Sequence, residues 1–350
     1  MVGGSGWGHL MGEGAVLVTG ALGCIGAWTV RELVVSDVPV VAFDRSTDPR
    51  RLRQITTPDQ FHRVRLVQGD ITSLADLDQV ISANQVERII HLGALQLPFC
   101  RADPVLGASV NVLGTVNVFQ AARRAGVPHV VYTSSIAVFD WGPEKGRLMA
   151  DAPARPASHY GAYKLANEGT ARAYWNDFGV SSIGIRPMTV YGPGRDQGLT
   201  SSPTKAVLAA VLGYAYEIGF GGATLFHLAG DVGRALVAAA RSSVDGAHVA
   251  NLNGVRAPVS DIVASLQDLV GSSADGITLS PRALPFPDDV DTSGLDIIGP
   301  PAVTPLSEGV AATVEFFRDL QSRGALDPAE HGLDVEDGIA FDRESAPITE

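Results

Sequence analysis

Short apolar runs alternate with helix-compatible stretches through the first half of the chain. Ala15–Thr19, Val38–Phe43, Val64–Val67, Val86–Leu92 and His129–Thr133 are nearly unbroken apolar segments of strand length. Between them lie periodic stretches, notably 74–84 and 105–125. Strands without polar alternation are buried on both faces, and strand–helix alternation places helices there. A sixth strand is expected at Ser181–Arg186, after a long helix over 160–178. The pattern predicts an α/β chain with a doubly wound parallel sheet of the Rossmann type. Beyond about residue 190 the alternation loosens. Helices are expected near 203–213, 230–242, 259–270 and 306–320, short strands near 224–228 and 247–252, and loops over 271–305. The division expected is a flexible lead-in at 1–14, a dinucleotide-binding domain at 15–190, a smaller irregular α/β substrate lobe at 191–326 that partly shares its sheet and helices with the first domain, and an acidic tail at 327–350.

Composition narrows the function classes. Hydrophobic residues make up 45% of the 350 and charged residues 18%, against a usual charged share of about 25%, which excludes a charge-rich disordered chain. The net charge of −12 offers no basic stripe for nucleic acid. Eight acidic residues against one arginine fall in 327–350, so most of that charge belongs to the tail. The two cysteines, Cys24 and Cys100, have no metal-ligand spacing and suit a reducing cytoplasm. No histidine motif of metal-binding type occurs, so no metal is expected. No uninterrupted apolar run of about 18 residues is visible, so no membrane span is expected.

The first strand runs into Thr19-Gly20-Ala-Leu-Gly23-Cys24-Ile25-Gly26 and then a helix. Gly20 suits the tight turn, Gly23 the close approach of a pyrophosphate, and Gly26 close helix–sheet packing. The helix N-terminus adds free N–H groups and a positive dipole end. Asp44, ending the second strand, is placed to accept the adenosine ribose hydroxyls and to repel a 2′-phosphate, which favours NAD. The neighbouring Arg45 is the residue that argues the other way. Asp70 and Ile71, after the third strand, are placed beside the adenine.

Tyr160 and Lys164 lie four apart, on one face of the expected helix. A cation beside a phenol favours phenolate, which makes Tyr160 a candidate general acid/base. Thr133-Ser134-Ser135 ends a strand about 25 residues upstream, where Ser135, or alternatively Ser134, can hold a substrate oxygen. His91 ends a buried strand and reads as a core histidine. No G-x-S-x-G elbow supports a hydrolase.

These motifs, with Leu92-Gly93-Ala94, Asn111-Val-x-Gly-Thr115 and Arg186-Pro-x-x-Val-Tyr-Gly-Pro-Gly194, make the chain resemble the extended short-chain dehydrogenases/reductases, the NAD-dependent epimerase/dehydratase family. The resemblance covers roughly 14–320. It implies Tyr160 as acid/base, Lys164 as the anchor of the nicotinamide ribose, and Ser135 as the group orienting substrate. It implies Leu92, Gly93, Ala94, Asn111, Thr133, Pro187, Thr189 and Val190 as further cofactor contacts, and a homodimer built as a four-helix bundle from 105–125 and 160–178. The substrate edge is expected at Leu95, Gln96, Ile136, Ala137, Val138, Phe139, Trp141, Met188, Thr189, Tyr191, Arg195 and His227, with 192–199 a loop that orders over a small sugar-like substrate.

Two departures bear on that substrate. Nucleotide-sugar members carry Arg-Phe/Tyr-x-Asn where this chain has Arg186-Pro-Met188-Thr189. They also carry Arg-Asp where this chain runs Ala223–Asp231. The expected diphosphate partner is therefore missing, with Arg195, Arg234 or Arg256 as replacements, and a nucleotide-bearing substrate is disfavoured. The expected activity is hydride transfer at a secondary carbinol carbon of a carbohydrate, with epimerisation as the net outcome. The alternatives are net dehydrogenation of a non-nucleotide alcohol and, from another class, an NAD(H)-sensing binding protein.

Overall fold

The computed structural model describes residues 14–139, 147–149, 151–299, 301–336 and 338–342. The expected lead-in at 1–13, Trp141 and the end of the tail lie outside the described residues.

The first half runs β1 (Ala15–Thr19), α1 (Cys24–Val35), β2 (Val40–Asp44), α2 (Arg50–Ile55), α3 (Pro58–His62), β3 (Val64–Gln68), α4 (Leu74–Ala83), β4 (Val86–His91), α5 (Leu97–Ala102), α6 (Pro104–Ala108), α7 (Gly114–Ala125) and β5 (His129–Thr133). It continues through α8 (His159–Phe178), β6 (Ser181–Arg186), β7 (Thr189–Tyr191), α9 (Ser202–Leu212), β8 (Tyr216–Ile218), β9 (Ala223–Leu228), α10 (Ala229–Arg241) and β10 (Ala247–Asn251). The chain ends with β11 (Val255–Pro258), α11 (Ser260–Val270), β12 (Ile277–Leu279), α12 (Leu306–Ser322), β13 (Leu333–Glu336) and β14 (Ile339–Asp342).

Seven parallel strands form one sheet in the order β10-β6-β5-β4-β1-β2-β3. The chain reverses direction across the sheet between β1 and β4, and the crevice beyond their carboxyl ends is where such sheets bind ligands. The apolar runs of β1 and β5 are buried throughout, as their lack of alternation requires. β3 is the exception, an edge strand with Leu66 43% exposed.

The second half contributes to the first-half sheet. β10 pairs in register with β6, Ala247 opposite Ser182, so it closes the first-half sheet. α10 lies against α1 so closely that a Cβ on Gly233 would sit 3.0 Å from the Trp28 carbonyl carbon. A second core, around Phe317, Leu208 and Ile262, joins α9, α11 and α12. The acidic tail is also partly structured: Leu333–Glu336 and Ile339–Asp342 form an antiparallel hairpin, with His331 and Leu333 buried. Its alternating apolar residues are too few to stand out from the charges around them.

The helical stretch 104–125 contains a π-helical turn at Ser109–Leu113. By length and composition alone it is long and apolar enough to cross a membrane, with mean hydropathy 1.3. Half of that window is buried within the fold. Asn111, Thr115 and Asn117 inside it are buried and hydrogen-bonded, so the helix serves as core here.

Candidate active site

The glycine loop is shaped by contacts that exclude side chains. Gly20 has φ +66°, and a Cβ there would come within 2.6 Å of the Gly93 nitrogen. A Cβ on Gly26 would collide with the Gly20 carbonyl oxygen, so α1 packs directly on the turn. Gly23 caps α1 without any side-chain partner, leaving the first N–H groups of the helix facing the loop. Asp44 locks this arrangement: one carboxylate oxygen accepts the Leu22 N–H at 2.9 Å and the other the Ser46 N–H at 2.9 Å.

A polar lock also fixes the end of β4. Thr115 donates to the Asn111 carbonyl at 2.7 Å, so its oxygen accepts from His91 Nε2–H at 3.0 Å. His91 Nδ1 then accepts from the Thr19 hydroxyl at 2.7 Å. That orientation leaves the Thr19 oxygen facing the N–H groups of Leu92 and Gly93, at 3.3 and 3.4 Å. Burial, with Lys164 adding to it, holds His91 neutral, down to about 3. His91 is a core histidine that joins β1, β4 and the 104–125 helix.

A cavity of about 400 Å³ opens along these strand ends. Gly20, Gly23, Cys24, Ile25, Gly26, Asp44, Arg45, Asp70 and Ile71 line one end of it. Leu92, Gly93, Ala94, Thr133, Pro187 and Val190 line its middle, and Gln96, Ser135, Ile136, Ala137, Tyr160, Lys164 and Arg195 its far side. The geometry fits a dinucleotide: an uncovered glycine turn under a helix N-terminus, with a carboxylate at the end of β2.

Tyr160 reaches Ser135 because α8 begins unusually close to the loop after β5. A Cβ on Gly161 would collide with the Ala137 carbonyl oxygen, and the Ser158 hydroxyl caps the helix by accepting the Gly161 N–H at 3.1 Å. The Tyr160 hydroxyl and Ser135 line the cavity together, and the Ser135 hydroxyl favours the phenolate. Lys164 is buried and donates to the Thr133 carbonyl at 2.9 Å, its Nζ 5.7 Å from the Tyr160 ring centre. Burial pulls Lys164 down to about 8. Ser134 is committed elsewhere. It donates at 2.5 Å to Glu168, whose two oxygens take Arg186 at 2.7 and 2.6 Å. Ser135 is therefore the hydroxyl facing the cavity.

Burial pushes the Tyr160 phenol up, and what opposes it is the Ser135 hydroxyl and the charge of Arg195, with Cys100 adding to the rise.

Several expected contacts do not line the cavity. Asn111 is fully buried and clamps the main chain of Leu95, accepting its N–H at 2.7 Å and donating to its carbonyl at 2.9 Å. Thr189 is fully buried against the Thr224 hydroxyl at 2.8 Å. His227 is 2% exposed, with Nδ1 3.1 Å from the Asn253 carbonyl. Each follows its strand or helix inward, which spacing alone does not reveal. Val138, Phe139 and Tyr191 are likewise core. Arg234 pairs with Asp231, and Arg256 with Asp288 at 2.8 Å, both away from the cavity. Sequence reasoning missed Arg51, Thr200 and Phe286, which do line it, as does Gln197 of the expected 192–199 loop. Phe286 lies in a stretch read only as loop, and Arg51 in a helix whose arginines gave no motif.

A family model described as the NAD dependent epimerase/dehydratase family matches residues 16–253. The chain belongs to that family. NAD is accordingly its cofactor. The chain is 32% identical to a UDP-glucose 4-epimerase of Mycolicibacterium smegmatis, over 87% of this chain and 98% of that one. Among solved structures it is similar to MoeE5 in complex with UDP-glucose and NAD, at 31% identity, a TM-score of 0.73, and 88% and 100% coverage. The fold is shared with a UDP-N-acetylglucosamine 4-epimerase from Methanobrevibacter ruminantium M1, at 23% identity and a TM-score of 0.75, over 88% and 99% of the chains. The names of these relatives are of nucleotide-sugar epimerases or complexes with UDP-glucose.

Proposed function

We propose that the chain is an NAD-dependent epimerase acting on a hexose carbinol carbon of a UDP-sugar. The observation that carries this is the convergence of Ser135, Tyr160 and Lys164 on the cavity that the glycine loop opens into. When bound, NAD supplies the hydride acceptor and donor and, oxidised, a positive charge. Tyr160 takes the proton of the carbinol hydroxyl, and Ser135 holds that oxygen in line. Lys164, anchored on Thr133, faces the ribose. Ile136, Met188, Leu199 and Phe286 exclude water, and Gln96, Gln197, Thr200 and Arg195 supply the polar contacts. A sugar gripped by few polar groups can turn over between losing and regaining hydrogen, and net inversion requires that turn. Tyr160 then returns the proton.

Supporting the nucleotide are the two relatives above 30% identity. Arg195 is the cation on the substrate side placed for a diphosphate, in the role the sequence left open. The reading is tested by incubating the protein with UDP-glucose or UDP-galactose and following interconversion by NMR. Tyr160→Phe is expected to lose a factor of about 10² to 10⁴ while retaining its bound NAD. The second reading, net dehydrogenation of a non-nucleotide alcohol, draws on the apolar Met188 and Phe286, and predicts NADH accumulation without an epimer.

The 15–190 segment and β10 form the cofactor half in this proposal, and most of 191–326 the substrate half. Val105 (81% exposed), Leu106 and Leu113 present an apolar stripe on the 104–125 helix, which supports pairing with a second copy through this helix and α8. Free thiols at Cys24 and Cys100 support a cytoplasmic setting.

A further inference from the structure

Arg51 makes two ties at once. Its Nη1 donates to the Leu22 carbonyl of the glycine loop at 3.3 Å. Its Nε and Nη2 donate to the two oxygens of Asp196, each at 2.9 Å. Asp196 belongs to the loop that follows β7, 145 positions away, and that loop carries Arg195, Gln197, Leu199 and Thr200 into the cavity. Both partners are largely shielded, with side chains 18% and 8% exposed. A bidentate guanidinium–carboxylate pair in that setting is strong and geometrically specific.

Other contacts hold the same loop on the same helix. Trp28 Nε1 donates to the Pro193 carbonyl at 2.9 Å. Gly194, at φ +85°, lies against both Cys24 and Arg51, 3.9 and 3.7 Å from where its Cβ would stand. From the far side, Gly332 packs on the Asp196 carbonyl, where a Cβ would approach to 2.5 Å. Arg50 pairs with Glu330 at 3.1 Å. Asp196 is thus held between the cofactor loop and the C-terminal turn.

We propose that Arg51 and Asp196 form a clasp that closes the substrate loop over the dinucleotide and retains the cofactor through the catalytic cycle. They are positioning residues: Asp196 lies outside the cavity lining, and Arg51 acts on the cofactor loop through Leu22. Retention matters because inversion needs the hydride returned by the same cofactor that took it. NADH escaping midway strands the oxidised sugar. The inference rests on the NAD site and the inverting cycle, and is independent of which sugar is turned over.

The test is the release rate of bound NADH, followed by loss of its fluorescence when the loaded protein is mixed with excess NAD. Arg51→Gln and Asp196→Asn are each expected to accelerate release about tenfold, and the double variant no further than either, because both break one connection. Arg51→Lys, which keeps a cation within reach of one carboxylate oxygen, is expected to stay within about threefold of the parent. Trp28→Phe, losing one neutral hydrogen bond, should fall between. Thermal midpoints are measured on every variant. Release that tracks the midpoint across the set, with Arg51→Lys as fast as Arg51→Gln, overturns the clasp in favour of general loosening. Acceleration by Arg51→Gln alone overturns it too, making Arg51 a direct cofactor ligand. Additive effects, or unchanged release in both single variants, refute it outright. An absence of UDP-sugar turnover in the parent counts against the proposed activity and leaves these release rates fully readable.

Discussion

Glu168→Gln probes the structure next to Ser135, where Glu168 holds the adjoining Ser134. The Glu168 carboxylate, 4% exposed as a residue, receives Ser134 at 2.5 Å and the Arg186 guanidinium at 2.7 and 2.6 Å. Arg186 in turn stacks over Phe139 at 4.8 Å. Glutamine preserves the shape, but its NH2 group faces an arginine N–H, donor against donor, and the guanidinium loses its counter-charge. Removing one partner of a buried pair costs about 3–5 kcal/mol. For a chain of this size about 2 °C accompanies each kcal/mol, so the melting temperature should fall by about 6–10 °C. Urea unfolding and calorimetry measure it. The paired replacement Glu168→Leu with Arg186→Met should recover much of the loss, since buried pairs trade against apolar residues of similar volume at little net cost. A loss below about 1 kcal/mol for Glu168→Gln refutes the reasoning, because that is the worth of a solvent-exposed pair.

Further outcomes follow from the site. Asp44→Ala removes the acceptor for the Leu22 and Ser46 N–H groups and is expected to weaken NAD binding at least tenfold, read by equilibrium titration of NADH fluorescence. Arg195→Gln removes a cation that favours the Tyr160 phenolate, so the acid limb of the kcat/KM profile, set by loss of that phenol's proton, should move to higher pH; an unmoved limb sinks that coupling. His91, His129 and His227 are held neutral by burial, down to about 3, 4 and 4. The unfolded chain therefore binds more protons than the fold below about pH 6.5. Stability should fall as pH drops from there toward 4, and His91→Gln should flatten that slope in urea titrations across the range.

The parallel sheet was legible because its strands are buried on both faces and so read as apolar blocks; β1 and β5 are unmistakable. The glycine turn was legible because each glycine answers a separate steric demand. Ser135, Tyr160 and Lys164 were legible because four-residue spacing on a helix and a strand end are local facts. What escaped was set by distant packing. Arg51 meets Asp196 across 145 positions, a pairing that neither sequence neighbourhood encodes. Asn111 was assigned to the cofactor, but the π-helical turn around it rotates its amide onto Leu95. Phe286 reaches the cavity from a stretch whose prolines and aspartates announce only irregular backbone. The Thr133 carbonyl that anchors Lys164 at 2.9 Å is invisible in the spacing.

The pairing of β10 with β6 also limits how this chain can be rebuilt. A strand from beyond residue 246 closes the sheet that begins at residue 15, and α10 rests on the backbone of α1. The two halves are interleaved in space although they are consecutive in the gene. Exchanging substrate specificity by grafting everything after residue 190 from a relative would replace the sheet's edge together with the pocket. New specificities are more readily reached by exchanging the segments 192–200 and 280–290, which reach the pocket without carrying a strand of the central sheet.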